Sequence, residues 1–204
     1  MPLLLHRFWS KDGYQLMPDV QHLFQGLRSL KIQRDSSVIV GVITNSDDRV
    51  PDILTSLGLE VSPLRYGSPK AALPDPEQPR DIDFSVMSFD VGYEKPDRRI
   101  FQAAEDVVSE IRSASSPSGA SPIDTYQKVY VGDDYEKDIV GALNAGWNAV
   151  LIASRTDISQ YSRVKWLDEQ AFGNVLDEFE RSPAVGFRRL GNFAKWLPGL
   201  SPAL

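Results

Sequence analysis

The spacing of hydrophobic positions changes along the chain, and each change marks a passage between strand and helix. Val38-Ile39-Val40-Gly41-Val42-Ile43 is an apolar, β-branched run, the pattern of a strand covered on both faces in a parallel sheet. It stops at Thr44-Asn45. Beyond it Val50, Ile53, Leu54 and Leu57 share one helical face, with Asp47 or Asp48 placed to cap the helix and Gly58 to stop it. A second unit runs from Phe84-Ser85-Val86-Met87-Ser88 through Gly92 into a helix from Asp97, where Ile100, Phe101, Ala104, Val107, Val108 and Ile111 recur at helical spacing. A third opens at Lys128-Val129-Tyr130-Val131, turns at Gly132-Asp133, and continues as a helix through Ile139, Val140, Leu143 and Ala145 to Gly146. Trp147-Asn148-Ala149-Val150-Leu151-Ile152 supplies a fourth strand. Strands alternating with helices predict right-handed crossovers and an α/β fold built on a parallel sheet.

The remaining stretches carry weaker patterns. Residues 62–83 hold Pro63, Pro69, Pro74, Pro76 and Pro79 with little apolar content, and 113–125 is a Ser/Pro/Gly/Ala run; both are predicted to be mobile loops. Segment 166–181 reads as a further helix through Leu167, Phe172, Val175, Leu176 and Phe179. Residues 182–204 read as a C-terminal tail whose Phe187, Phe193 and Trp196 fold onto the domain. The other reading of that tail is contact with a membrane surface or partner through Arg188, Arg189 and Lys195.

Composition narrows the function classes. At 204 residues and 42% hydrophobic content the chain is long enough to bury a full core. No window approaches the ~20 apolar residues of a membrane span, and Met1-Pro2-Leu3-Leu4-Leu5 is too short for the core of a signal peptide. With no cysteine there is no disulfide framework. These features predict an intracellular protein, cytoplasmic or nuclear. The net charge of -6, with no basic stripe, argues against nucleic acid as a partner and toward a small molecule.

Candidate chemistry gathers where strands end. Asp133, Asp134, Glu136 and Asp138 put four like charges within six positions at a strand's carboxyl end, an arrangement that calls for a divalent cation or a nearby lysine. The plainer reading is that Asp133 or Asp134 caps the helix that follows. Thr44-Asn45 follows the first strand and Lys95-Pro96 the second. Pro96 restricts Lys95 to an extended backbone, so its ammonium leaves from a stiff base. A hydroxyl, a fixed ammonium and a carboxylate with metal are the groups that bind a phosphoryl group and neutralise its transition state.

The order Val-Ile-Thr-Asn-Ser-Asp-Asp-Arg (42–49), Val-Gly-Tyr-Glu-Lys-Pro-Asp-Arg-Arg-Ile-Phe (91–101) and Val-Gly-Asp-Asp-Tyr-Glu-Lys-Asp-Ile-Val-Gly-Ala (131–142) resembles the second, third and fourth motifs of haloacid dehalogenase-like (HAD) hydrolases. Within that superfamily it is most similar to the helical-capped, phosphatase-like branch, over residues 12–155. The resemblance implies a HAD-like Rossmannoid parallel sheet, three-layer α/β/α, and Mg²⁺-dependent phosphomonoester hydrolysis through an aspartyl-phosphate. It assigns Thr44 and Asn45 to phosphoryl binding, Lys95 to steadying the nucleophile and the phosphoryl charge, and Asp133 to Mg²⁺. Asp138 takes a supporting role there, and Asp134 is the further metal candidate. It divides the chain into 1–31, a remnant of the helical cap and return to the core; 32–181, the core; and 182–204, the tail.

The family's first motif, Asp-x-Asp after an apolar strand, has no counterpart before Val38, where the aspartates are Asp12, Asp19 and Asp35. The resemblance therefore implies a truncated chain, inactive as written, missing most of its cap and the central strand of its sheet. That omission leaves two strands ~9.6 Å apart with bare inner edges, open to a partner chain. The alternative is a non-catalytic phosphate/Mg²⁺-binding or protein-interaction module.

Overall fold

A computed structural model describes residues 6–32, 38–69, 80–115, 126–153, 161, 163–167 and 173–197. In chain order the elements are α1 (Val20–Ile32), β1 (Gly41–Thr44), α2 (Val50–Ser56), β2 (Phe84–Met87), α3 (Ser88–Val91), α4 (Arg98–Ser115) and β3 (Val129–Gly132). A π-helical turn (Tyr135–Val140) leads into α5 (Gly141–Asn144). They are followed by β4 (Asn148–Ile152), β5 (Lys165–Trp166), α6 (Val175–Phe179), β6 (Ala184–Phe187) and α7 (Leu190–Ala194). All strand pairings are parallel, as the α/β pattern predicts. The chain forms two compact units, one of residues 1–17 and 27–123, the other of 18–26 and 124–204.

The first unit holds the sheet β1-β2. β1 is shorter than the apolar run from Val38, because the Val40 N–H donates to the Asp83 carboxylate (2.7 Å) instead of entering a ladder. Gly41 is bare for a packing reason: a Cβ there would lie 2.1 Å from Cζ of Phe84. Every residue of β2 is buried. Ile100, Phe101, Ala104 and Val107 of α4 are buried with it, the face that the helical spacing predicts. Burying each large side chain contributes about 1.5–3 kcal/mol.

The described part of 62–83 is not a loose loop, contrary to its proline content. The Ser62 N–H donates to the Ile82 carbonyl (2.8 Å), Ser85 N–H to Leu64 O (3.0 Å) and Tyr66 N–H to Ser85 O (3.1 Å). The stretch thus lies along β2 as an irregular extra edge, with Leu64 and Ile82 fully buried. Arg65 fastens it further through Asp90 at 2.5 Å. Residues 70–79 and 116–125, and the apolar Pro2–Leu5, lie outside the described residues.

The second unit holds the sheet β3-β4-β6-β5. Where one helix is predicted over 166–181, β5 and the short α6 are found, with the Asn174 side chain accepting from the Leu176 N–H to start α6. The stretch set apart as a tail supplies β6, which pairs with both β4 and β5. Its aromatics do fold inward, with Phe187 5.7 Å from Phe193 and 6.0 Å from Trp196, ring centre to ring centre.

Among the described residues β1 pairs only with β2 in the first unit, and β3 only with β4 in the second. Among the described residues no helix is long and apolar enough to cross a membrane.

Candidate functional site

In the first unit, parallel register sets Thr44, the last residue of β1, opposite Met87 at the end of β2. The chain then runs through Asn45, whose side-chain amide grips the backbone of a residue fifty positions on. Asn45 Oδ1 accepts from the Lys95 N–H (2.7 Å) while its Nδ2 donates to the Lys95 carbonyl (3.0 Å). Both ends of the amide are committed. The side chain expected to contact substrate therefore fixes the backbone of Lys95 beside the end of β1. The Ser46 carbonyl ties the same loop to α3, accepting from the Phe89 N–H and the Ser88 hydroxyl, both at 3.2 Å.

Asp47 does not cap α2. It holds Arg49 instead, with two contacts of 2.8 Å between its carboxylate and the guanidinium, and that hydrogen bonding keeps the Asp47 carboxyl below its ordinary pKa. A second such clamp follows Lys95: Asp97 grips Arg99 at 2.5 and 2.9 Å, which lowers the Asp97 pKa to about 2. The Arg99 guanidinium in turn lies 3.3 Å from the ring centre of Tyr93, a cation–π contact.

In the second unit the acid cluster divides by role. Asp138 is buried, and its Oδ2 accepts from the backbone N–H groups of Asp133 and Asp134, both at 3.0 Å. Tyr130 also hydrogen-bonds it, and burial followed by the charge of Asp138 pushes the Tyr130 phenol pKa upward. Gly132 makes room, since a Cβ there would meet Asp138 Oδ2 at 2.2 Å. Asp134 caps the π-helical turn, its Oδ1 accepting from the Lys137 N–H (3.0 Å) and its Oδ2 lying 3.2 Å from Lys137 Nζ. The backbone N–H of Lys137 is the leading cause of the lowered Asp134 pKa. Asp133 and Glu136 are the exposed carboxylates of the cluster, Asp133 being the one that directly follows β3.

Among the described residues no three His, Asp or Glu side chains converge as a preformed cation cage. Mg²⁺ commonly keeps several waters and takes only one or two protein carboxylates. Asp133, outward on a turn whose backbone Asp138 fixes, fits that requirement as a single ligand. Asp138 fits as the group that holds the turn.

One acidic pair escaped the sequence reading. Asp81-Ile82-Asp83 has the Asp-x-Asp spacing but precedes β2, and its carboxylates face α1. Asp81 pairs with Arg28 (2.8 Å) and Asp83 with Lys31 (2.6 Å), so both are structural. Their signal was the cationic face of α1, where Arg28 and Lys31 stand three residues apart.

A family model described as HAD-hydrolase-like matches residues 92–169, a span that includes Lys95, Asp133 and Asp138. The chain is 29% identical over 159 residues to an uncharacterized hydrolase of Schizosaccharomyces pombe, covering 78% of this chain and 56% of that protein. It is 27% identical over 150 residues to haloacid dehalogenase-like hydrolase domain-containing protein 3 of Mus musculus, covering 74% and 45%. The chain thus spans about half the length of these relatives. Its fold is similar to that of the HAD-hydrolase YfnB of Bacillus subtilis, solved with magnesium bound, at a TM-score of 0.50 and 14% identity over 88% of this chain and 53% of that one.

Proposed function

The chain belongs to the haloacid dehalogenase-like (HAD) hydrolases, and from that premise we propose that it binds the phosphoryl group of a phosphate monoester through Thr44 and Lys95. The observation that carries this reading is the two-way hydrogen bonding of the Asn45 amide to the Lys95 backbone. Such a link holds an ammonium-bearing residue next to a strand-end hydroxyl before any ligand arrives, the kind of preorganisation that electrostatic stabilisation of an oxyanion requires. Asn45 is a positioning residue in this scheme rather than a substrate ligand. Asp133 is the residue that would hold Mg²⁺, with Asp138 and Gly132 fixing the backbone of its turn. A divalent cation held there would supply positive charge to the second unit's turn.

Hydrolysis in this family begins with an attacking carboxylate, and no Asp-x-Asp after an apolar strand stands among these 204 residues. Taken by themselves they bind without turning over, which also describes a non-catalytic phosphate- and Mg²⁺-binding module. Purified chain assayed with Mg²⁺ and p-nitrophenyl phosphate is expected to release no more p-nitrophenol than its Lys95→Ala variant. Steady turnover that the substitution abolishes would mean that one of the present carboxylates attacks phosphorus, and would overturn the non-catalytic reading.

A further inference from the structure

Beside the Asn45–Lys95 link an open groove of about 590 Å³ separates the loop after β1 from the segment after β2. Asn45, Ser46 and Arg49 line one side and Phe89, Tyr93 and Glu94 the other. Two features set it apart from ordinary surface. Phe89 and Tyr93 are both aromatic, lie four residues apart, and are 67% and 42% exposed in the same depression. Large exposed aromatics that share a concavity, rather than scattering singly, mark a contact site.

Tyr93 is also held in place. Asp97 locks the Arg99 guanidinium, and Arg99 stacks on the Tyr93 ring at 3.3 Å. A ring fixed from behind loses little rotamer freedom when a ligand packs against it. The charges along the groove largely cancel: Arg49 is paired with Asp47, leaving Glu94 as the one unmatched formal charge among the lining residues. An anionic body would gain little here, whereas a neutral, flat one would be in contact with two rings.

The groove shares Asn45 with the phosphate-binding rim and ends at Glu94, next to Lys95. We infer that it receives the alcohol portion of the phosphate monoester, and that this alcohol carries a planar aromatic ring, which packs on Phe89 and Tyr93. The inference rests on the reading of Thr44 and Lys95 as the phosphoryl ligands.

The test is calorimetric titration of the full chain, in the presence of Mg²⁺, with inorganic phosphate, glycerol 3-phosphate and phenyl phosphate. Phenyl phosphate is expected to bind roughly three- to tenfold more tightly than glycerol 3-phosphate, the range of one aromatic pair. Phe89→Ala, at an exposed position that the fold does not need, is expected to remove that advantage. If all three ligands bind with comparable affinity, or if the preference survives both Phe89→Ala and Tyr93→Ala, the aromatic assignment falls and phosphate binding stands. If none of the three binds, the phosphate reading fails and this inference fails with it.

Discussion

Replacing Asp83 with alanine lowers the stability of the chain by about 3–5 kcal/mol, the cost of leaving one partner of a buried ion pair without the other. The Lys31 side chain is 6% exposed and that of Asp83 13% exposed, and Lys31 Nζ lies 2.6 Å from Asp83 Oδ2. The same oxygen accepts from the Val40 N–H at 2.7 Å, so Asp83 ties α1 to the residue that precedes β1. Lys31 also donates to the Arg80 carbonyl (2.7 Å), too little to offset a full positive charge without its carboxylate. Urea unfolding followed by circular dichroism measures the loss. The double variant Lys31→Met/Asp83→Leu recovers much of it, because removing both charges removes the desolvation penalty. If Asp83→Ala shifts the midpoint no more than an exposed aspartate does, for instance Asp52, α1 is not anchored in this way.

Gly132→Ala is expected to cost about 2–4 kcal/mol, through overpacking and the displacement of a carboxylate with several hydrogen bonds. A methyl group at residue 132 would sit 2.2 Å from Asp138 Oδ2, and that oxygen cannot retreat without releasing the N–H groups of Asp133 and Asp134. Asp138→Ala removes the same bonds and leaves the Tyr130 hydroxyl without the carboxylate, at a similar cost. The two changes strike one structure, so their effects are strongly non-additive: Gly132→Ala adds little once Asp138 is alanine. Hydrogen exchange at the amides of residues 133 and 134 reads the event locally. Unchanged protection in Gly132→Ala, or simple additivity in the double variant, would contradict the placement of Asp138 beneath the turn.

These residues also show what the sequence made legible. The helical repeat of Ile100, Phe101, Ala104 and Val107 predicted the buried face of α4, because a long amphipathic helix repeats its signal over several turns. β6 carried no such signal. Its four residues, Ala184-Val185-Gly186-Phe187, are too few to set a pattern, and a glycine interrupts them because Val164 and Trp166 crowd residue 186, where a Cβ would find them at 2.8 and 2.9 Å. Prolines at 63 and 69 suggested a loop, yet Ser62, Leu64 and Tyr66 make backbone bonds along β2 that neither proline interrupts. Short-range composition does not register such non-local pairing.

The candidate site was legible as a set of positions and less so as a set of roles. Motif order located Thr44, Asn45, Lys95, Asp133, Asp134 and Asp138, but type and spacing alone do not say which atoms are already engaged. The Asn45 amide is committed to Lys95, Asp134 to the Lys137 N–H, and Asp138 to the turn that presents Asp133. Phe89 and Tyr93 were passed over because α3 is a single turn, too short to give a helical repeat, and Tyr93 lies in the segment beyond it. Their shared groove exists only once α3 has set them beside the loop after β1.

The claim on which the rest depends is that Lys95, held by Asn45 beside Thr44, is a phosphate ligand. The direct measurement is a titration of the purified chain with inorganic phosphate in Mg²⁺, followed by ³¹P NMR, alongside the same titration of Lys95→Ala. The account predicts saturable binding that the substitution weakens roughly 10- to 100-fold, the worth of one charge-assisted hydrogen bond in a sheltered site. Phosphate that fails to bind, or that binds the variant as tightly as the natural chain, would contradict it.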